Sequence, residues 1–214
     1  MSIGLCGGHR TGKTTLAKEY AKKFKIPFVE TSVSAIFREL GLDPAVTYDF
    51  ATRLMIQEEI LKRIDAKLAD YGGEEFITDR TPIDFIGYTL ADAIGDRVPD
   101  DCQDRLRKYV NDCFDVTNRR FSSIFLIQPG IRLVREEGKA AMNEAYIEHL
   151  NSLILGLTVD ERLKSYHFYI PRNVTELNER VTAIKTSVER IKIRSTVELA
   201  DLAEMRGSMS MVLH

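Results

Sequence analysis

The sequence predicts an α/β fold with a mainly parallel five-stranded sheet and helices on both faces. Three observations predict it. Short runs of β-branched and aromatic residues alternate with longer runs at helical period. The strand-like runs are apolar at nearly every position, as in strands covered on both faces. The chain has 214 residues; at about 150 residues per domain, one domain with elaborations is expected.

The elements follow in order. Ser2–Cys6 reads as the first strand, and Lys13–Lys23 as the helix after it. Pro27–Val29 is the second strand. A long helix is expected from Pro44 to about Asp70, because Phe50, Leu54, Leu61, Ile64 and Leu68 form one apolar stripe. Pro44 suits its first turn and Gly72-Gly73 stops it. Glu75–Thr78 is the third strand, followed by helices over Pro82–Ala93 and Asp101–Asn118. Ser123–Ile127 is the fourth strand, with a helix over about Lys139–Leu157. Tyr166–Ile170 is the fifth. A last helix runs from Thr175 to about Arg194, with Leu177, Val181, Ile184, Val188 and Ile191 on one stripe expected to pack on the sheet. The expected division is one domain over residues 1–194, with a small lid at about 130–140, and a C-terminal tail over 195–214.

Composition excludes several classes. With 44% hydrophobic and 29% charged residues, neither global disorder nor a fibrous chain fits. Thirty basic against 32 acidic residues give a net charge of −2, so a strongly basic nucleic-acid binder is not indicated. Cys6, Cys102 and Cys113 form neither a disulfide framework nor a zinc pattern, which suits a reducing compartment. No run reaches the about 18 apolar residues of a membrane span, and Met1–Cys6 lacks the features of a signal peptide. The expectation is a cytoplasmic protein that does not engage membrane. His149, His167 and His214 have no partner acid or serine, and no chemistry is assigned to them.

In parallel sheets, ligands bind beyond the carboxyl ends of the strands. Directly after the first strand, Gly7-Gly8-His9-Arg10-Thr11-Gly12-Lys13-Thr14 matches GxxxxGK[ST] in full and opens a helix. Glycines let successive N–H groups turn inward on phosphate oxygens, and the helix N-terminus adds its dipole. Lys13 reaches β- and γ-phosphates, the Thr14 hydroxyl can ligate Mg²⁺, and Thr15 reaches an α-phosphate. The nucleotide-binding set is thus Gly7, Gly8, His9, Arg10, Thr11, Gly12, Lys13, Thr14 and Thr15, with His9 and Arg10 at variable positions. The fold class narrows to a three-layer P-loop NTPase.

The third strand ends in Asp79-Arg80-Thr81-Pro82. A carboxylate there can hold Mg²⁺, and a guanidinium can take a phosphate or hydroxyl. The alternative is that Asp79 caps the helix at Pro82 with Arg80 solvated, a cap that Thr81 could supply as well. The DxxG and NKxD signatures of switch GTPases are absent from plausible places. Asp79-Arg80 resembles the DR element of P-loop nucleoside and nucleotide kinases, including the thymidylate kinase, deoxynucleoside kinase and nicotinamide riboside kinase groups. The resemblance covers about residues 2–190, and departs from those groups in the Thr81-Pro82 that follows and in lacking Arg-Glu-Pro after the second strand.

That resemblance implies ATP and Mg²⁺ as cofactors, with Thr14 and Asp79 at the metal and Lys13 on the phosphates. It implies Glu30, after the second strand, as the base or orienter of an attacking hydroxyl, an ordinary surface glutamate being the alternative. Arg38 faces either the same cleft or solvent. Phe50, Arg53 and Gln57 share roughly one helix face, and an aromatic, a cation and an amide together suit a nucleobase; the alternative is Phe50 in the core. Arg80 is expected at the substrate. After Gln128-Pro129-Gly130, a segment bearing Arg132 and Arg135 resembles a nucleoside monophosphate kinase lid, which brings arginine to developing charge.

The expected function is Mg·ATP-dependent phosphoryl transfer to a nucleotide, nucleoside or similar acceptor. Arg38, Arg53 and Arg80 lean toward an anionic acceptor such as a nucleoside monophosphate. Two alternatives stand beside it: phosphorylation of a modified base in DNA, and a P-loop ATPase or switch acting on a macromolecular partner. A nucleic-acid partner is not favoured, and a homodimer stays open. The tail from Met205 to His214, rich in methionine, is either a docking segment or a frayed or core-packed end.

Overall fold

A computed structural model of the chain describes residues 1–43, 46–93, 98–133 and 143–211, with side chains described as far as residue 197. It divides into two compact units, residues 1–175 and 176–214.

The first unit is a five-stranded sheet in the order β2-β3-β1-β4-β5, with β1 (Ser2–Cys6), β2 (Phe28–Val29), β3 (Phe76–Thr78), β4 (Ser123–Ile127) and β5 (Tyr166–Ile170). All four pairings are parallel. The registers align the strand tips: Gly4 and Val29 both pair with Thr78, Cys6 with Leu126, and Ile127 with Ile170. The loops leaving β1, β2, β3 and β4 therefore emerge along one edge. The strand order changes direction at β1, where a crevice for ligand forms in sheets of this kind.

Helix α1 (Lys13–Phe24) packs on β1, β2 and β3. It ends where Lys25 turns left-handed, with Lys22 and Lys23 in the last turn complementing the helix dipole. α4 (Pro82–Asp92), α5 (Asp100–Arg120) and α6 (Glu144–Thr158) pack against one another through α4, and α6 reaches β4. β1, β3 and β4 supply the buried centre of the core. The arrangement is a three-layer α/β P-loop fold.

Four features of the first unit differ from the sequence expectation. Residues 33–39 form α2 (Val33–Glu39), a helix too short for a periodic stripe to reveal. The long helix, α3 (Phe50–Ala69), begins six residues after Pro44, because Asp49 caps it by accepting from the Thr52 N–H at 2.7 Å. Pro44 itself lies outside the described residues. α6 starts at Glu144, where the Asn143 side chain accepts from the Tyr146 N–H at 3.0 Å. β5, expected to be covered on both faces, exposes Tyr166, His167 and Tyr169 as the sheet's edge strand.

In the second unit, α7 (Leu177–Met211) continues well past Arg194, and it includes most of the methionine-rich segment. No helix among the described residues is long and apolar enough to cross a membrane.

Candidate active site

The turn after β1 is built around backbone that only glycine adopts easily. Gly7 has φ +137° and Gly12 has φ +84°. A Cβ on Gly7 would stand 2.6 Å from the Ile127 carbonyl oxygen of β4. Arg10, at φ +60°, is the non-glycine residue of the loop in the left-handed region. The Thr11 hydroxyl donates to the Gly8 carbonyl at 3.0 Å and closes the turn.

Lys13 lies inside this loop, 8% exposed, and its ammonium donates to the Gly7 and Gly8 carbonyls at 2.7 Å each. Burial pulls its pKa below the usual lysine range, while the carboxylate of Asp84, 3.9 Å away, works against that shift. Burial likewise pushes Asp84 above the ordinary carboxylate range, and Lys13 opposes it.

Asp79, at the tip of β3, does not cap α4. Thr81 is the N-cap, and Asp84 reaches back to it in a capping box. Asp79 is thereby left to the site. Its Oδ2 accepts from the Thr14 hydroxyl at 2.7 Å, and its Oδ1 accepts from the Thr31 hydroxyl at 2.9 Å and the Thr31 N–H at 3.3 Å. The start of α1, the segment after β2 and the tip of β3 meet in this carboxylate.

Arg80 is half-buried with its guanidinium over the Tyr88 ring, 5.7 Å from the centroid. Tyr88 is pushed up to about 12, burial being the main cause and the positive charge of Arg80 opposing it. On the P-loop side, the His9 ring packs on that of Tyr146, from α6, at 5.7 Å between centroids. Arg53 lies near Tyr146 and is ion-paired to Asp92 at 2.6 Å.

The remaining expected residues are placed as follows. Glu30 is exposed, and its backbone carbonyl accepts from Lys67 at 2.8 Å; the neighbouring Thr31, rather than Glu30, bonds Asp79. Arg38 is exposed on α2, and its Nε donates to the Ser34 carbonyl at 3.4 Å. Phe50 is buried in the core cluster. Gln57 directs its Oε1 into the interior with no hydrogen-bond partner. Arg132 is exposed in the loop after β4. Arg135 lies outside the described residues, as does most of the segment over 130–140. Thr14 and Thr15 are exposed at the start of α1.

Four contributors went unread in the sequence: Thr31, Asp84, Tyr88 and Tyr146. Thr81-x-x-Asp84 was legible as a capping box. The other three are single residues whose role arises only from the packing of separate elements.

As oxygen donors 2.7 Å apart, Thr14 and Asp79 fit a hard cation such as Mg²⁺. Among the described residues no cluster of three or more His, Cys, Asp or Glu could hold a metal alone. That suits an ion that completes its shell with substrate phosphates and water.

Known structures show the same fold. A deoxyadenosine kinase from M. mycoides with dCMP and dCDP bound superimposes with a TM-score of 0.61 at 17% identity, covering 89% of this chain and 100% of that one. Thymidylate kinase from Candida albicans gives 0.61 at 13% identity, covering 89% and 92%. YorR from Bacillus subtilis, in complex with phosphorylated GDP, gives 0.53 at 15% identity, covering 88% and 96%. At these identities the likeness establishes the fold. No curated protein matches the sequence. Residues 2–163, from β1 to the approach to β5, match the model of the AAA domain, and the chain belongs to the AAA domain family.

Proposed function

We propose that this chain is an ATP-dependent kinase that transfers a phosphoryl group to a nucleoside, nucleotide or similar small acceptor. The observation that carries the reading is the Thr14–Asp79 contact at 2.7 Å, beside Lys13 in a complete GGHRTGKT loop. The kinase names of two structural likenesses support it.

Phosphoryl transfer requires positioning and neutralisation of charge more than covalent chemistry. In this reading the loop from Gly7 to Thr15 holds the ATP phosphates through its amides, and Lys13 supplies a cation to them. Thr14 and Asp79 hold Mg²⁺, which when bound offsets the charge on the phosphates. Arg80, fixed over Tyr88, contacts the acceptor, and Glu30 orients its hydroxyl or takes its proton. Gln57 and Arg53 line the acceptor side. The pairing of Arg53 with Asp92 offsets one of the charges that favoured an anionic acceptor.

An ADP-release screen over nucleosides, nucleoside monophosphates and modified-base DNA tests the reading. ADP release dependent on one of the small acceptors is expected. ADP release that is indifferent to all of them removes the kinase reading in favour of an ATPase; dependence on DNA alone moves the acceptor to nucleic acid.

Arg132 and Arg135 are the proposed lid arginines. Converting both to alanine is expected to lower kcat by about 10²-fold or more, as loss of transition-state charge stabilisation does, with a much smaller change in ATP affinity. Steady-state kinetics and ATP titration check this together. A fall in ATP affinity at constant kcat removes the lid assignment.

A further inference from the structure

Within α4, Asp84 and Tyr88 are four residues apart and share one face of the helix. Both point toward the P-loop, and Arg80 lies over the Tyr88 ring. The Asp84 side chain is fully buried. Its Oδ2 accepts from the Thr81 N–H at 2.8 Å and the Thr81 hydroxyl at 3.0 Å, which completes the helix cap. Its Oδ1 is turned the other way and accepts from the Gly7 N–H at 3.0 Å. Capping α4 does not require that second bond. One turn further on, the Tyr88 hydroxyl faces the His9 N–H, which works against the burial that raises the Tyr88 pKa. Nor does α4 itself require that contact.

We propose that Asp84 and Tyr88 are positioning residues for the donor-phosphate loop, each holding one backbone amide of the turn so that the amides beyond it converge on phosphate. This rests on the reading of residues 7–14 as the ATP cradle, and extends it to a helix that no motif marks. The physical reason is entropic. A turn that starts Gly-Gly has many accessible conformations, and ordering it at the moment of binding would weaken affinity. Anchoring the Gly7 and His9 amides to a packed helix orders the loop in advance, which is preorganisation. α4 is rigid enough to serve, since it packs on α3, α5 and α6.

The test is calorimetric titration of full-length protein with ATP and with ADP, without acceptor, alongside Tm. Tyr88→Phe removes the hydroxyl and keeps the ring under Arg80. It is expected to raise both Kd values about 5-fold, the worth of one ordinary hydrogen bond, with Tm nearly unchanged. Asp84→Asn leaves one oxygen where two acted, so it cannot serve Thr81 and Gly7 together. About a tenfold rise in Kd and a lower Tm are expected. Thr89→Val is the contrast: its hydroxyl donates to the Phe85 carbonyl of the same helix at 2.8 Å, so it should lower Tm and leave Kd alone. If Asp84→Asn does not fold, Tyr88→Phe decides alone. Tight ATP binding by the unaltered protein with unchanged Kd in Tyr88→Phe overturns the positioning role. An unaltered protein that binds no ATP overturns the cradle reading, and the proposal with it.

Discussion

Replacement of Lys13 by alanine is expected to reduce ATP-dependent phosphoryl transfer by about 10²–10³-fold or more, the scale of losing one preorganised charge at a developing anion. The ammonium stands inside the loop, held by the Gly7 and Gly8 carbonyls. Neither Arg80, which lies over Tyr88, nor Arg53, which is paired with Asp92, has that placement. The fold is expected to persist, because Asp84 keeps its bonds from the Gly7 N–H, the Thr81 N–H and the Thr81 hydroxyl when the ammonium is gone. ADP release and circular dichroism on the same sample separate the two effects. Normal turnover by a folded Lys13→Ala protein would remove the P-loop argument.

Gly7→Ala is expected to damage both stability and nucleotide binding. Two penalties act at once. The backbone at φ +137° is strained for any L side chain, at about 1–3 kcal/mol. The new methyl would also meet the Ile127 carbonyl oxygen at 2.6 Å, an overlap with backbone that costs about 1–3 kcal/mol more. Relief requires Gly7 to move, which pulls its N–H from Asp84 and its carbonyl from Lys13. A denaturant melt and an ATP titration should both show the loss. A variant with unaltered Tm and ATP affinity would mean that the close approach of β1 and β4 is not what shapes the turn.

Both predictions concern residues that the sequence exposes directly. GxxxxGK[ST] is legible because phosphate binding demands glycines and a lysine at set intervals, so the chemistry is written locally. Asp79 was legible as a carboxylate at a strand tip, but its two alternatives could not be separated without knowing which residue caps α4. Thr81 takes that role in the fold, and Asp79 turns to Thr14 and Thr31. Phe50 shows the opposite case. Its spacing with Arg53 and Gln57 suited a nucleobase face, yet the same position serves the apolar stripe of α3, and the core holds it. A helix stripe records which residues share a side, not which neighbour covers them.

The sequence by itself determined the order of the strands and of every helix but α2, the parallel class of the sheet and the phosphate-binding loop, because each depends on short-range pattern. Only the tertiary structure decided what surrounds that loop. β2 supplies Thr31 to Asp79, α4 supplies Asp84 and Tyr88 to the loop amides, and α6 sets Tyr146 against His9. These groups lie 48 to 137 positions from their partners, and contacts of this kind are satisfied by distance in space, which no local spacing along the chain encodes.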